Sequence, residues 1–235
     1  YAEYQMAKHI LANPSAKRER TRQAVDWLTH AAEAGLDCAQ YALGKLCRDG
    51  GPVAQDMTQA VIRFSQAAER GNQYAMYALG KLRLEADDPA AARRWFQQSA
   101  DLGNQFAQYR LGKLLLSGDG VTRDTADAVR WLTESAEQGN QYAQYALGKL
   151  YLLGKDVPQD RESAVRWFTL AAEQGNEYAR FFLDHMDDSP SLFASTTRLL
   201  HHMGRIFQEQ APPPGGGISF VDSKLRRKIR EKKIA

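Results

Sequence analysis

Three arginines, Arg94, Arg130 and Arg166, recur at intervals of 36 residues, each immediately before a tryptophan. Gln98 and Glu134 follow the first two by four residues, one helical turn further along the same face. A planar guanidinium donates two parallel hydrogen bonds to a carboxylate, so a row of them suits an acidic peptide or a C-terminal carboxylate. The same residues fit equally well a solvated face with local ion pairs. A second set is Lys45, Lys81, Lys113 and Lys149. These are expected to meet Glu33, Glu69, Asp101 and Glu137, acids near helix C-termini where the dipole disfavours them unless a cation is close. Such exposed pairs are worth only about a few tenths of a kcal/mol each.

A third set closes the chain. From Lys224 to Ala235 there are seven basic residues against one acid, Glu231, so this stretch carries +6 within a total of +3. Val221, Leu225 and Ile229 recur every four residues, with Arg226, Arg227, Lys228 and Arg230 around the rest of the helix. A basic amphipathic helix can grip phosphates, dock in a groove such as that of a second copy, lie on an anionic membrane, or simply be solvated.

Catalytic and metal chemistry find no such pattern. His201 and His202 are adjacent, whereas two metal ligands on one helix need i, i+4 spacing with further ligands nearby. There is no phosphate loop, nucleophile elbow or Cys-x-x-Cys, and Gly215–Gly217 lacks the strand and helix a phosphate cradle needs. Cys38 and Cys47 lie nine residues apart in one expected helix, about 13 Å, beyond disulfide reach. They read as core residues of a protein in a reducing, cytoplasmic compartment. No catalytic residue, metal or cofactor is expected, and no apolar run approaches the ~18 residues of a membrane span.

The elements that must position these residues come from an internal repeat. Gly139–Leu150 reads Gly-Asn-Gln-Tyr-Ala-Gln-Tyr-Ala-Leu-Gly-Lys-Leu, with near copies beginning at Gly35, Gly71, Gly103 and Gly175. A period of 32 to 36 residues means stacked supersecondary units. Each unit reads as two helices. The first opens at an acidic cap (Asp56, Asp124, Asp160), buries a face such as Ala24, Trp27, Leu28 and Ala31, and stops at the turn glycine. The second is expected to be capped by Asp37, Asn72, Asn104, Asn140 or Asn176, and carries Gly44, Gly80, Gly112 or Gly148 in its interior. A glycine inside a helix costs about 1 kcal/mol relative to alanine. A neighbouring Trp or Tyr ring over the bare backbone would account for it. Trp27, Trp95, Trp131 and Trp167 are expected to thread between hairpins as core, and Arg63 replaces the tryptophan in the second unit.

Ala-x-x-x-Leu-Gly-x-Leu-x-x-Gly, Val-x-x-Asp and Ala-x-x-Trp-x-x-x-Ala-Ala-Glu-x-Gly together resemble the Sel-one-like repeat, a relative of the tetratricopeptide repeat. That resemblance covers about residues 1–186 and implies an all-α, right-handed superhelical solenoid of about five helix-turn-helix repeats, the first one partial. It also implies a concave side, lined by first helices, that holds protein or peptide partners. Two departures stand out. Glu85-Ala-Asp-Asp-Pro89 shortens one linker by four residues, and the cysteines that staple some secreted relatives are missing.

Residues 187–210 read as a capping helix beginning at Ser189-Pro190, 211–217 as a Pro/Gly linker, and 218–235 as the basic tail helix. Leu-Leu-His-His-Met-Gly-Arg-Ile-Phe and Val-Asp-Ser-Lys-Leu-Arg-Arg-Lys-Ile-Arg-Glu-Lys-Lys, within Ser191–Ala235, resemble the end of relaxase (mobilisation) proteins of Gram-positive mobile elements. That resemblance implies a parent that nicks DNA with a domain lying upstream of Tyr1. The expected function is therefore a non-catalytic protein-interaction scaffold in such a parent. The alternative is a DNA-binding accessory segment whose basic tail contacts phosphates.

Overall fold

The structure is a computed structural model that describes residues 1–13, 15 and 17–186. Among them are eleven α-helices: α1 (Ala2–Leu11), α2 (Arg18–Glu33), α3 (Asp37–Asp49), α4 (Met57–Glu69), α5 (Gln73–Glu85), α6 (Pro89–Asp101), α7 (Gln105–Ser117), α8 (Thr125–Glu137), α9 (Gln141–Leu153), α10 (Arg161–Glu173) and α11 (Glu177–Asp184). The expected cap at 187–210, the linker and the basic tail lie outside the described residues, as do His201 and His202.

The chain divides into two compact units, one ending at Ala107 and the other beginning at Gln108. In the first, each helix from α1 to α6 packs on the next; in the second, α8 to α11 do the same. The architecture is all-α and built of sequentially stacked helical hairpins, as the repeat implied.

Local chemistry sets the helix ends. Asp56, Asp124 and Asp160 each accept a hydrogen bond from the backbone N–H three residues on, so α4, α8 and α10 begin where the sequence placed them, and Asp88 caps α6 in the same way. Asn72, Asn104, Asn140 and Asn176 do the same for α5, α7, α9 and α11. Asp37 does not. It is the first helical residue of α3, after Leu36, and accepts from Asn72 Nδ2 at 2.8 Å instead. At the turn between α4 and α5, Gly71 takes φ +84°, and the Asn72 N–H reaches back to Ala67 O at 3.0 Å, closing the helix through a left-handed residue.

The long linkers are pinned twice. Asp56, Asp124 and Asp160 donate their N–H to Cys47 O, Leu115 O and Tyr151 O. The side chain just before each aspartate, Gln55, Arg123 or Gln159, donates to the next carbonyl, of Arg48, Leu116 or Leu152. The short linker Ala86–Asp88 has no room for that device. It turns through Asp87 at φ +59° and restarts on the Asp88 cap with Pro89 in the first turn.

The glycines inside the second helices mark close helix crossings, but the ring over them is not Trp or Tyr. A Cβ on Gly44, Gly80 or Gly148 would meet Phe64, Phe96 or Phe168, and one on Gly112 would meet Leu132. These residues stand one place after the tryptophan position and are fully buried. The tryptophans flank them. Trp95 packs against the α4–α5 core and Trp167 against the α8–α9 core, both half-buried, while Trp131 is buried. Tyr41, Tyr77 and Tyr145 complete each contact, with ring centroids 5.8 to 6.0 Å from Phe64, Phe96 and Phe168.

Candidate functional site

In the second unit, helix α8 sets Arg130 over the face of Trp131, its guanidinium carbon 4.0 Å from the ring centroid. Its Nη2 donates to Asp127 Oδ1 at 3.1 Å and its Nη1 to Glu134 Oε1 at 3.2 Å. Slight desolvation works against the charge, but Asp127 and Glu134 outweigh it and raise the Arg130 pKa. The helical spacing i−3, i and i+4 brings these three charges together. On α10, Arg166 lies over Trp167 at 5.6 Å. Arg130 and Arg166 are both exposed.

In the first unit, α6 carries Arg94 and Gln98 on its exposed side, and among the described residues no ion pair engages Arg94. Its neighbour Gln97 donates to Asp101. The tryptophan-backed arginines are thus presented to solvent, and the local ion pairs that the sequence left as an alternative form at Arg130. Glu134 is not only a partner of Arg130, since its Oε2 also accepts from Gln108 Nε2 at 3.1 Å. It ties α8 to the preceding helix.

The lysine ladder departs from expectation. Lys45, Lys113 and Lys149 make no ion pair with Glu33, Asp101 or Glu137. Desolvation, with Lys149 and Arg110 nearby, pushes the Lys113 ammonium below its ordinary range, although the side chain also reaches solvent. Burial does the same to Lys149. Among the described residues, no group of His, Cys, Asp and Glu could hold a metal ion, and no helix is long and apolar enough to cross a membrane. Cys38 and Cys47 are unbridged and half-buried, and burial pushes the Cys47 thiol up.

Sequence reading passed over a buried glutamine relay. Gln144, on α9, donates Nε2 to Ala136 O at 3.1 Å and accepts at Oε1 from Gln174 Nε2 at 2.8 Å. Gln108 accepts at Oε1 from Gln138 at 2.7 Å. The signal was present in the repeating Gln that follows Gly-Asn-Gln-Tyr-Ala and in the Gln before the turn glycine, but a polar residue at these positions does not by itself announce burial.

The Sel1 repeat family model matches residues 1–36, 39–72, 73–104, 105–140 and 141–176. The crystal structure of a Sel1 repeat protein from Oxalobacter formigenes is 35% identical over 71% of this chain, with a TM-score of 0.65. The chain spans 49% of that protein, about half its length. The immunity protein PA5088 of Pseudomonas aeruginosa is 26% identical, with a TM-score of 0.54, over 80% of this chain and 71% of its own. Pa5087 of the same organism, also an immunity protein, shares the fold at 23% identity and a TM-score of 0.53, with the same coverage. No curated protein matches the chain.

Proposed function

The chain belongs to the Sel1 repeat family, whose members are generally protein-interaction scaffolds, and from that premise we propose that it holds a protein partner on its first helices. One observation carries the reading: Arg94, Arg130 and Arg166 stand exposed beside their tryptophans while the opposite sides of α6, α8 and α10 supply the core. A charged, pre-positioned guanidinium on a rigid helix loses little freedom on meeting a carboxylate. Gln98 and Glu134 supply acceptors beside Arg94 and Arg130, so within each unit these side chains suit an acidic segment that also offers donors. The proposed scaffold is non-catalytic, and its two unbridged cysteines fit the reducing environment of the cytoplasm.

The finer reading assigns these repeats to a relaxase of a mobile element. It rests on the sequence of Ser191–Ala235 and needs a His-hydrophobe-His motif and a tyrosine nucleophile upstream of Tyr1. The +6 charge of Lys224–Ala235 favours one second reading, in which the tail contacts DNA phosphates and the chain is an accessory to DNA binding.

One experiment separates them. Partner capture from cell extract should survive deletion of Lys224–Ala235 and fail in an Arg94→Ala/Arg130→Ala/Arg166→Ala variant that keeps its helical circular dichroism. If the triple variant captures the same partner as well as the parent, the arginine face is not the docking surface. DNA binding that is lost at moderate salt and abolished by the tail deletion would favour the second reading.

A further inference from the structure

Gln40 on α3, Gln108 on α7 and Gln144 on α9 occupy one position of the repeat, and two of them are satisfied by the relay described above. Gln40 keeps only half of it. Its Nε2 donates to Ala32 O at 3.1 Å, as Gln144 does to Ala136 O. Its Oε1 has no partner among the described residues, although Gln40 is only 5% exposed. A buried acceptor without a donor is destabilising, so this one is a vacancy in the polar network.

The cause lies on α4. The place of Gln138 and Gln174 is taken by Arg70, whose exposed side chain runs over Gly35 instead of donating to Gln40. The place of the tryptophan is taken by Arg63, which donates to Gln66 Oε1 at 3.3 Å. With a ring and a carboxamide both replaced, a cleft of about 350 Å³ opens, lined by Glu33, Gln40, Arg63, Gln66, Glu69 and Arg70.

We propose that this cleft takes a primary carboxamide, the side chain of a glutamine or asparagine presented by a partner polypeptide. The chain itself shows the chemistry, since Gln138 and Gln174 are the carboxamides that fill this position in the second unit. An incoming amide NH2 donates to Gln40 Oε1, and its carbonyl accepts from Arg63 or Arg70, the exposed Arg70 side chain turning aside as it enters. A carboxylate would suit the arginines but bring an anion against Gln40 Oε1, Glu33 and Glu69. An ammonium would suit those acceptors but meet two arginines. An aliphatic group leaves Oε1 unpartnered. The inference deepens the scaffold reading and rests on it for the polypeptide source, but the arginine face plays no part in it.

The test uses the full chain, 15N-labelled, titrated with N-acetyl-L-glutamine methylamide. The glutamate and methionine analogues and free L-glutamine serve as comparisons. The glutamine probe should shift the Gln40 side-chain NH2 and the Gly35 amide signals. One hydrogen bond to a buried acceptor makes the other capped probes about tenfold weaker. Three variants borrow residues that other repeats carry at these positions and so are compatible with the fold: Gln40→Met (as Met76), Arg63→Trp (as Trp95) and Arg70→Gln (as Gln138). Each should abolish binding, Arg70→Gln by supplying the carboxamide from within. Undiminished binding to Arg70→Gln, a glutamate probe that binds as tightly, no change at Gln40, or free glutamine binding more tightly than the capped probe would each overturn the proposal. The triple arginine variant should bind the glutamine probe unchanged, so failure of one reading is visible without failure of the other.

Discussion

Replacing Gly80 with alanine should destabilise the protein even though alanine is the better helix former. In the middle of α5, helix propensity alone favours alanine by about 1 kcal/mol. The added Cβ, however, would stand 2.6 Å from both Cδ1 and Cε1 of Phe96 and 3.1 Å from Cζ. Comfortable carbon–carbon contact begins near ~3.5 Å. Phe96 has no exposed surface and Tyr77 lies against it at 5.9 Å, so the ring cannot move into solvent. Forcing a methyl into such a contact costs about 1–3 kcal/mol, which leaves a net loss of up to about 2 kcal/mol. The assay is urea unfolding followed at 222 nm for the parent, Gly80→Ala, Phe96→Ala and the double variant. Phe96→Ala alone should cost about 3–5 kcal/mol, and in that background Gly80→Ala should become stabilising by about 1 kcal/mol. The coupling between the two sites should then be about 2 kcal/mol. A Gly80→Ala protein at least as stable as the parent, or equally destabilised with and without the ring, would refute the close-crossing argument.

Two further outcomes concern charge. Asp160 accepts from the Ser163 hydroxyl at 2.6 Å and the Ser163 N–H at 3.1 Å, and these bonds hold its carboxyl below the usual range. A depressed carboxyl stabilises the fold above its unfolded value of about 3.9, and that contribution is lost as pH falls through the folded value. Asp160→Ala should therefore lower the urea midpoint at neutral pH and Asp160→Asn should recover most of it. The gap between parent and Asp160→Asn should close on acidification below about pH 4. The Lys113 ammonium is pushed the opposite way for its type, by burial and then by Lys149 and Arg110. Between its lowered folded value and about 10.4 the unfolded chain binds more protons, so stability rises with pH in that window. Lys113 also reaches solvent, which screens the effect, so Lys113→Met should differ little from the parent at pH 7 but should lack that alkaline rise. Identical midpoints for the two proteins from pH 7 to 10 would count against it.

The caps, turns and repeat length were legible because each is a local event. An aspartate at Asp56, Asp124 or Asp160 needs only the amide three residues on, and a turn glycine needs only its own φ. Where a residue's partner comes from another hairpin, reading along the chain failed. Asp37 has the composition of a cap, yet Asn72, one repeat later, claims its carboxylate. Trp95 and Phe96 are both apolar on the inward side, and successive helical residues differ in direction by about 100°. The choice of Phe96 for the glycine crossing depends on how α6 is rotated against α5, which no single-helix periodicity contains. Likewise Arg63 read only as the replacement of a tryptophan, and nothing in the pattern singled out Arg70. Only packing around Gln40 showed that their arrival leaves an acceptor without a donor.

The sequence alone therefore determined that this protein is a stack of helical hairpins, with the helix ends at Asp56, Asp124 and Asp160 and at the capping asparagines, since those depend on bonds within one turn of the chain. Tertiary structure alone decided which ring lies on which bare backbone, and which buried polar group goes unanswered. Those outcomes depend on the distance and rotation between helix axes, and these are set by all the side chains of both helices at once.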